Sequence, residues 1–371
     1  MRIDPAAGLA LDLSRLTRVA ATLGYEPSRH VSRRERLRRI NRDLGDRLAR
    51  DPADGRATIA KAFVEAETAL PAAIRQPHDS AASDLEQLRQ KGCLDFGSML
   101  SADQAGDIER HLAARRLLVG RAPGHSGGEV AALEAVPRDR NYACYGYLDL
   151  WQSPHLLELA TQDRLLDLAY AYLGCAPTLY AFNAFWALPD RPTEPRRETF
   201  HRNIEDFRSL AICVLLTPVE AATEGGHHYV EGSHDLAALE ASLRADGVGT
   251  KMEYLVAGTF VGPMSFRLFH RGARRFHGPA GAAFGIDPYG LHRSVGPRRR
   301  PHLLLELRFG TFFNEQLFDM RLSRETGLRH LMRQILAPDR QQARRILQRI
   351  PATPRHRFVF RHMIRALSGA P

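Results

Sequence analysis

Apolar residues recur at two different periods along this chain. Up to about residue 100 the spacing is helical. Ser32 and Glu35 form a Ser-x-x-Glu capping box, and Leu37, Ile40, Leu44 and Leu48 behind it fall on one face. The opposite face is arginine-rich and reads as a solvated surface. "DPADG" at 51–55 reads as a turn, the stretch from Ala57 to Ile74 as a further helix, and "AIRQPHDSAASD" as a linker. Ser101 and Gln104 repeat the capping pattern ahead of Ile108 and Leu112. "RAPGHSGGEV" reads as a loop. "SPHLLELATQDRLLDLAYAYLG" reads as two short helices, with Ser153 and Pro154 suited to an N-cap and first turn and Gly174 to a C-terminal stop.

Beyond Gly174 the period shortens to two. "TLYAFNAFWALP", "SLAICVLLTPV", "GHHYVEGSH", "GAAFGIDPYG" and "HLLLELRFGTFF" are short apolar runs bounded by Gly, Pro and Asp, as strands are. In the last, Leu303, Leu305, Leu307 and Phe309 share one face, and His302, Leu304, Glu306 and Arg308 share the other. Short strands without long intervening helices predict a barrel or sandwich. The insert at about 235–256 opens helical and turns into a loop. Toward the end, Asp339 suits the cap of a helix carrying Ala343, Ile346, Leu347 and Ile350, whose other face is arginine and which is expected to pack on the β core. The division predicted is a helical N-terminal extension at 1–80, a β domain with flanking helices at 81–320 and a basic helical tail at 321–371.

Composition narrows the function classes. The 371 residues carry a formal charge of +10, and only three of the 52 basic residues are lysine (Lys61, Lys91, Lys251). The basic balance favours anionic partners in general, but no zinc finger or aromatic RNA-binding run accompanies it, so no nucleic-acid partner is expected. Cys93, Cys144, Cys175 and Cys213 are scattered, which speaks against a zinc knuckle or a disulfide framework. No apolar run approaches the length of a membrane span, and the N-terminus lacks a signal-type apolar region, so a cytoplasmic location is expected.

The chemistry concentrates in "ETFHRNIEDFR", residues 198–208, where His201 stands two residues before Asn203. Iron(II) oxygenases hold their metal by two histidines and one carboxylate, written as His-x-Asp near a strand end and a distant histidine. An arginine then presents a planar fork to the far carboxylate of 2-oxoglutarate. The run "FHRNIEDFRSLAICVLLTPVEAATEGGHHYVEGSHD", with Thr217-Pro218-Val219, Gly226 and Gly232-Ser233-His234, resembles the core of the phytanoyl-CoA dioxygenase family. "GPAGAAFGIDPYGLHRSVGPRRRPHLLLELRFG" resembles that family's distal-histidine and closing strands, and "YLGCAPTLYAFNAFWALP" its bacterial branch. The resemblance covers roughly residues 90–315.

That resemblance implies an α+β chain with a mainly β core: a double-stranded β-helix (jelly-roll, cupin-like) barrel with helical N- and C-terminal extensions. It implies iron(II), 2-oxoglutarate and O2, and hydroxylation or a related C–H oxidation of a small organic substrate, with no catalytic residue separate from the metal site. Carried over position by position, the metal ligands fall on His201, Asn203 and His292. The co-substrate contacts fall on His302 and Ser294, with Asn183 lining the cavity and Arg300 as a replacement clamp. Trp186 is a second candidate for the lining, with half-buried strand residues as the simpler reading of both Asn183 and Trp186.

Two of these positions depart from the family: Asn203 stands for the aspartate and His302 for the arginine. Asn203 offers a neutral amide oxygen and leaves the site one unit more positive. A non-ligating amide would instead open a coordination position, as in related halogenases. Glu205 and Asp206 are the nearby carboxylates, and both sit further along the chain than the ligand geometry wants. His227, His228 and His234 read as loop or hydrogen-bonding residues, with His234 bracing the "GSH" turn. The alternative to an oxygenase with an atypical site is therefore a pseudoenzyme that uses the same barrel to bind a ligand or partner. A third reading is an enzyme that uses the pocket without metal or 2-oxoglutarate.

Overall fold

A computed structural model describes residues 5–25, 36, 39–40, 43–44, 46–47, 54–75, 82–119, 128–189, 199–203, 206–220, 225–245, 247, 269, 272–311 and 340–368. Eleven strands lie among them: β1 (Cys93–Ser98), β2 (Leu117–Val119), β3 (Gly128–Val130), β4 (Tyr142–Cys144), β5 (Thr178–Ala187), β6 (Leu210–Leu215), β7 (Gly226–Tyr229), β8 (Arg274–Phe276), β9 (Ala282–Ile286), β10 (His292–Val295) and β11 (His302–Gly310). Eight form one antiparallel sheet in the order β1-β9-β6-β11-β5-β4-β2-β3, and three form a second in the order β10-β7-β8. Single bridges at His201–His292 and Val219–Gly278 link further backbone to these sheets.

The alternation in β11 sets the layers. Leu303, Leu305, Leu307 and Phe309 are fully buried and join the main core with the surrounding helices. Leu304, on the opposite face, packs with Cys213, Phe284, Tyr229 and Phe276 in a second cluster between the two sheets. There Phe276 of β8 stacks on Phe284 of β9 at 4.2 Å. The core is thus antiparallel, two-sheeted and mainly β, with helices on the outer face.

The helices follow their local signals, with exceptions that have physical causes. Ser101 and Gln104 close a reciprocal capping box on α5 (Ala102–Ala113). The single helix expected over 57–74 is broken into α2 (Asp54–Ala66), a 3-10 turn at 67–69 and α3 (Ala72–Arg75). Pro71 forces Leu70 into an extended conformation, φ −90° and ψ 146°, which ends the 3-10 turn and separates it from α3. Asp54 and Gly55, read as part of a turn, already belong to α2. Ile40 and Leu44 are helical and buried as their spacing predicts, whereas Ser32, Glu35, Leu37, Leu48, Glu205 and Asp339 lie outside the described residues.

The linker reading meets α3 at one end and α4 (Ala82–Lys91) at the other. Part of the predicted 121–130 loop is strand β3, paired with β2. Ser153 closes α6 (Tyr147–Gln152) instead of opening the next helix. The N-cap of α7 (Leu156–Ala160) is His155, at φ 63°, and its ring bonds to Asp107 at 3.1 Å. Helix α8 (Asp163–Leu173) ends on Gly174 at φ 74°, as expected. The insert opens with α9 (Leu236–Ala245).

Helix α1 (Pro5–Thr22) and the C-terminal helices α10 (Arg340–Arg349), α11 (Pro354–Val359) and α12 (Arg361–Ser368) share the main apolar core with the sheet. A buried ionic knot fastens them. Asp12 meets Arg15 at 3.1 Å and Arg361 at 2.9 Å. Arg15 donates to Ala176 O and Thr311 O, and Arg361 to Thr178 Oγ1. Arg349 of α10 likewise donates to Trp151 O and Ser153 O, so the arginine-bearing helix packs on the domain. Among the described residues, no helix is long and apolar enough to cross a membrane.

Candidate functional site

Residues 199–203 run past the end of β10. His201 and His292 exchange backbone hydrogen bonds of 2.9 and 3.0 Å, and their rings lie 4.4 Å apart. Asn203 N donates to Pro288 O at 2.8 Å. The residue between them points elsewhere: Arg202 is buried and its Nη1 donates to Ser233 O and Tyr289 O, both at 2.6 Å. Ser233 closes the circuit, since its hydroxyl donates to Val230 O and accepts from Leu291 N, one residue before His292. His234 Nε2 bonds to Arg89 O of α4 at 3.0 Å, which is the bracing role expected of it. The "GSH" turn thus holds the two histidine-bearing segments in register.

Both histidines are anchored by backbone two residues upstream. Nδ1 of His201 meets Thr199 O at 3.0 Å, and Nδ1 of His292 meets Gly290 O at 2.9 Å. These partners assign Nδ1 as the protonated nitrogen and Nε2 as the electron-pair donor. A third imidazole completes the group. His227 in β7 stacks on His292 at 5.4 Å and 16°, opposite Ser294, whose Oγ lies 3.5 Å from its Nδ1. Burial, then the neighbouring imidazoles, and further Arg308 hold His292 well below the usual histidine range and push His227 down to about 3. The sequence pattern reads His227 as a loop or hydrogen-bonding residue. Its register partnership with Ser294, two residues past His292, instead puts it on the same face as the metal-position histidine.

The carboxylate position is different in kind. The amide of Asn203, oriented so that its oxygen faces the donors, accepts from Arg308 Nη1 at 2.9 Å and Nη2 at 3.2 Å. Arg308 also pairs with Glu306, two residues earlier on the same face of β11, through Nε and Nη2 at 2.8 Å each. A guanidinium therefore stands beside Asn203. Asp206 does not reach the histidines. Its carboxylate accepts from Thr311 N and Thr311 Oγ1, both at 2.6 Å, and caps the end of β11.

The remaining positions scatter. His302 opens β11 opposite Ala187 and is half-buried. Arg300 is exposed in the bend before β11, so the strand starts too late for it to act as an in-strand clamp. Asn183 in β5 lies opposite Glu306 and shares its inner face, whereas Trp186 lies opposite Leu303 on the helix-packed face and donates to Tyr145 Oη. Trp186 accordingly does not line the space between the sheets. Arg308, like His227, is a residue that the sequence pattern does not place at the site.

The implied metal can be tested against these residues. Two anchored imidazoles fit a ligand pair, since ligating histidines ordinarily bond a carbonyl or carboxylate through their other nitrogen. The third position does not fit, because Asn203 is neutral and turned to a cation. Among the described residues, no group of three His, Cys, Asp or Glu is disposed to hold a metal ion. The 2-oxoglutarate clamp does not fit either: Arg308 on the inner face is already bound to a carboxylate of the chain itself.

No protein-family model matches this sequence, and no curated protein is detectably similar to it. Solved structures give distant likenesses. EctD from S. alaskensis with 2-oxoglutarate and 5-hydroxyectoine is 18% identical over 65% of this chain and 81% of that chain, with a TM-score of 0.40. HygX from Streptomyces hygroscopicus with nickel and 2-oxoglutarate bound is 14% identical over 62% and 86%, TM-score 0.41. The epimerase SnoN in complex with Fe3+, alpha ketoglutarate and nogalamycin RO is 16% identical over 61% and 81%, TM-score 0.40. At this level of likeness, function has to be argued from the chain's own residues.

Proposed function

We propose that this chain is a jelly-roll protein of the 2-oxoglutarate oxygenase type, phytanoyl-CoA dioxygenase-like in sequence pattern, that has left iron(II)/2-oxoglutarate chemistry and uses the space between its sheets to bind a small organic ligand. The observation that carries this reading is the pairing of Asn203 with Arg308. A carboxylate at that position would cancel part of a metal's charge. A neutral amide bonded to a guanidinium supplies neither the charge nor the free lone pairs, and a metal ion there would face Arg308 at short range. The Glu306 carboxylate on Arg308 removes the other requirement, a fork open to a dicarboxylate co-substrate.

A second reading, an active oxygenase with an atypical His-x-Asn site, draws on the carbonyl-anchored rings of His201 and His292, an arrangement suited to metal ligation. An aerobic assay separates the two. With iron(II), ascorbate and 2-oxoglutarate, succinate production at the rate of the protein-free control supports the binding protein. Production above that control, abolished in His292→Ala, supports the oxygenase.

A further inference from the structure

Two arginines from distant parts of the chain share one tyrosine ring in the turn between β9 and β10. The guanidinium of Arg56, from the first turn of α2, lies 3.1 Å from the centre of the Tyr289 ring, and that of Arg202 lies 5.1 Å from it. Arg56 Nε donates to Phe207 O at 2.6 Å, and Arg202 Nη1 donates to the carbonyl oxygens of Ser233 and Tyr289. The remaining donors are different. Nη1 of Arg56, and Nε and Nη2 of Arg202, are buried and have no hydrogen-bond partner. Buried donors are ordinarily satisfied, so three orphaned ones on guanidiniums that share a ring point to an acceptor that belongs there.

The charge balance selects the acceptor. Asp287 lies in ion-pair range, 3.9 Å from Arg56 Nη2, but its carboxylate is already engaged. Oδ2 accepts from Tyr172 Oη at 2.6 Å and Oδ1 from Tyr289 N at 2.8 Å. Arg208 adds a third cation, donating to Tyr172 O at 3.0 Å. Burial lowers the Arg56 guanidinium; Asp287 opposes this and Arg208 adds to it. Burial, and further Arg56, lowers Arg202 to about 10. Water would satisfy the orphaned donors and leave the excess charge, whereas an anion answers both. Arg202 is 4% exposed and the Arg56 side chain 14%, so the approach is narrow and suits a compact anion. The planar forks match the oxygens of phosphate or sulfate.

We propose that Arg56 and Arg202 hold one compact oxyanion of the phosphate and sulfate class beside Tyr289, tying α2 to the segments that carry His201 and His292. Arg202 follows His201 directly, and Tyr289 precedes Gly290, whose carbonyl anchors the His292 ring. The site goes beyond the ligand-binding reading and uses neither Asn203 nor Arg308. Isothermal calorimetry of the full chain with inorganic phosphate, at fixed ionic strength, tests it. The result expected is one phosphate per chain, weakened by about tenfold or more in Arg56→Gln and in Arg202→Gln, since each removes charge-assisted hydrogen bonds. Arg56→Lys keeps the charge without the fork and should recover only part of the loss. Arg298→Gln, at an exposed arginine before β11, should leave the affinity unchanged.

No phosphate uptake by the folded protein overturns the proposal, as does uptake unaffected by Arg56→Gln. An equal loss in Arg298→Gln also overturns it, because that marks diffuse attraction to a chain of charge +10. Phenyl phosphate is expected to bind more weakly than phosphate, and tighter binding overturns the compact-anion assignment. If circular dichroism shows that Arg202→Gln does not fold, the two Arg56 variants decide. None of these outcomes involves the space between the sheets, so the failure of this site and the failure of the ligand-binding reading are told apart.

Discussion

The side-chain oxygen of Asn203 accepts two hydrogen bonds from the guanidinium of Arg308, at 2.9 and 3.2 Å. The contact joins the segment after His201 to the inner face of β11. Arg308 in turn holds Glu306. A polar triad of amide, guanidinium and carboxylate therefore occupies the place where the family pattern would put a metal-bound aspartate.

The triad is expected to behave as a unit. Arg308→Gln leaves the Glu306 carboxylate, 15% exposed, without its counter-charge, and should cost on the order of 3 kcal/mol. Glu306→Gln with Arg308→Gln removes both charges and should cost clearly less than the single change. Urea unfolding of the two single variants and the double variant measures the coupling. Additive losses would show that the pair is not coupled.

Restoring the aspartate alone is predicted not to restore metal binding. In Asn203→Asp the new carboxylate meets Arg308 and forms an ion pair with it. Iron(II) affinity should rise only when Arg308→Gln and Glu306→Gln are added. Adding His302→Arg should then bring 2-oxoglutarate affinity. Calorimetric titration of the series checks the order, and full iron(II) binding by Asn203→Asp alone would refute it.

Ser233 is predicted to matter through His292. Its hydroxyl accepts from Leu291 N at 2.7 Å, so Ser233→Ala strands a buried N–H and should cost about 1–3 kcal/mol in denaturant unfolding. Ser233→Thr, which keeps the acceptor, should recover part of that loss.

Acid should loosen the junction of α1 and α12. Burial, and then Arg361, pushes His362 down to about 3, with Arg365 and Arg15 adding to the depression while Asp12 opposes it. The unfolded chain binds a proton near pH 6.5 that the folded chain does not, so stability falls as pH drops from about 6.5 toward 3. For Asp12 burial raises the pKa, but Arg361, Arg15 and His362 together lower it. Its contribution is present above about pH 4 and is lost as pH falls through its depressed value. Unfolding midpoints against pH should therefore show a shallower acid slope in His362→Gln than in the parent.

Local signals carried much of the fold. The alternation of Leu303, Leu305, Leu307 and Phe309 gives β11 and its buried face directly. Ser101 with Gln104 marks the start of a helix, and Gly174 marks the end of another. Strands β2, β3 and β4 have three residues each, too few for a period to show, and Ser153-Pro154 looks like a helix start because the same residues also suit a helix end.

That His201 and His292 belong to one site was an expectation from their neighbours in the chain, and the structure brings the two rings together. Arg308 was not legible, because on an alternating strand an inward arginine and a solvated one have the same pattern. Its meeting with Asn203 depends on how two distant segments are registered. His227 was hidden for a similar reason: a strand of four residues offers little periodicity, and only its pairing with Ser294 shows which way it faces.

The central claim is that a guanidinium has taken the place of iron at Asn203. Anaerobic titration of the full chain with iron(II) and 2-oxoglutarate, followed by visible absorption, tests it most directly. The account predicts no metal-to-ligand charge-transfer band at any ratio of the two. A saturable band at one iron(II) and one 2-oxoglutarate per chain, lost in His201→Ala, would contradict it.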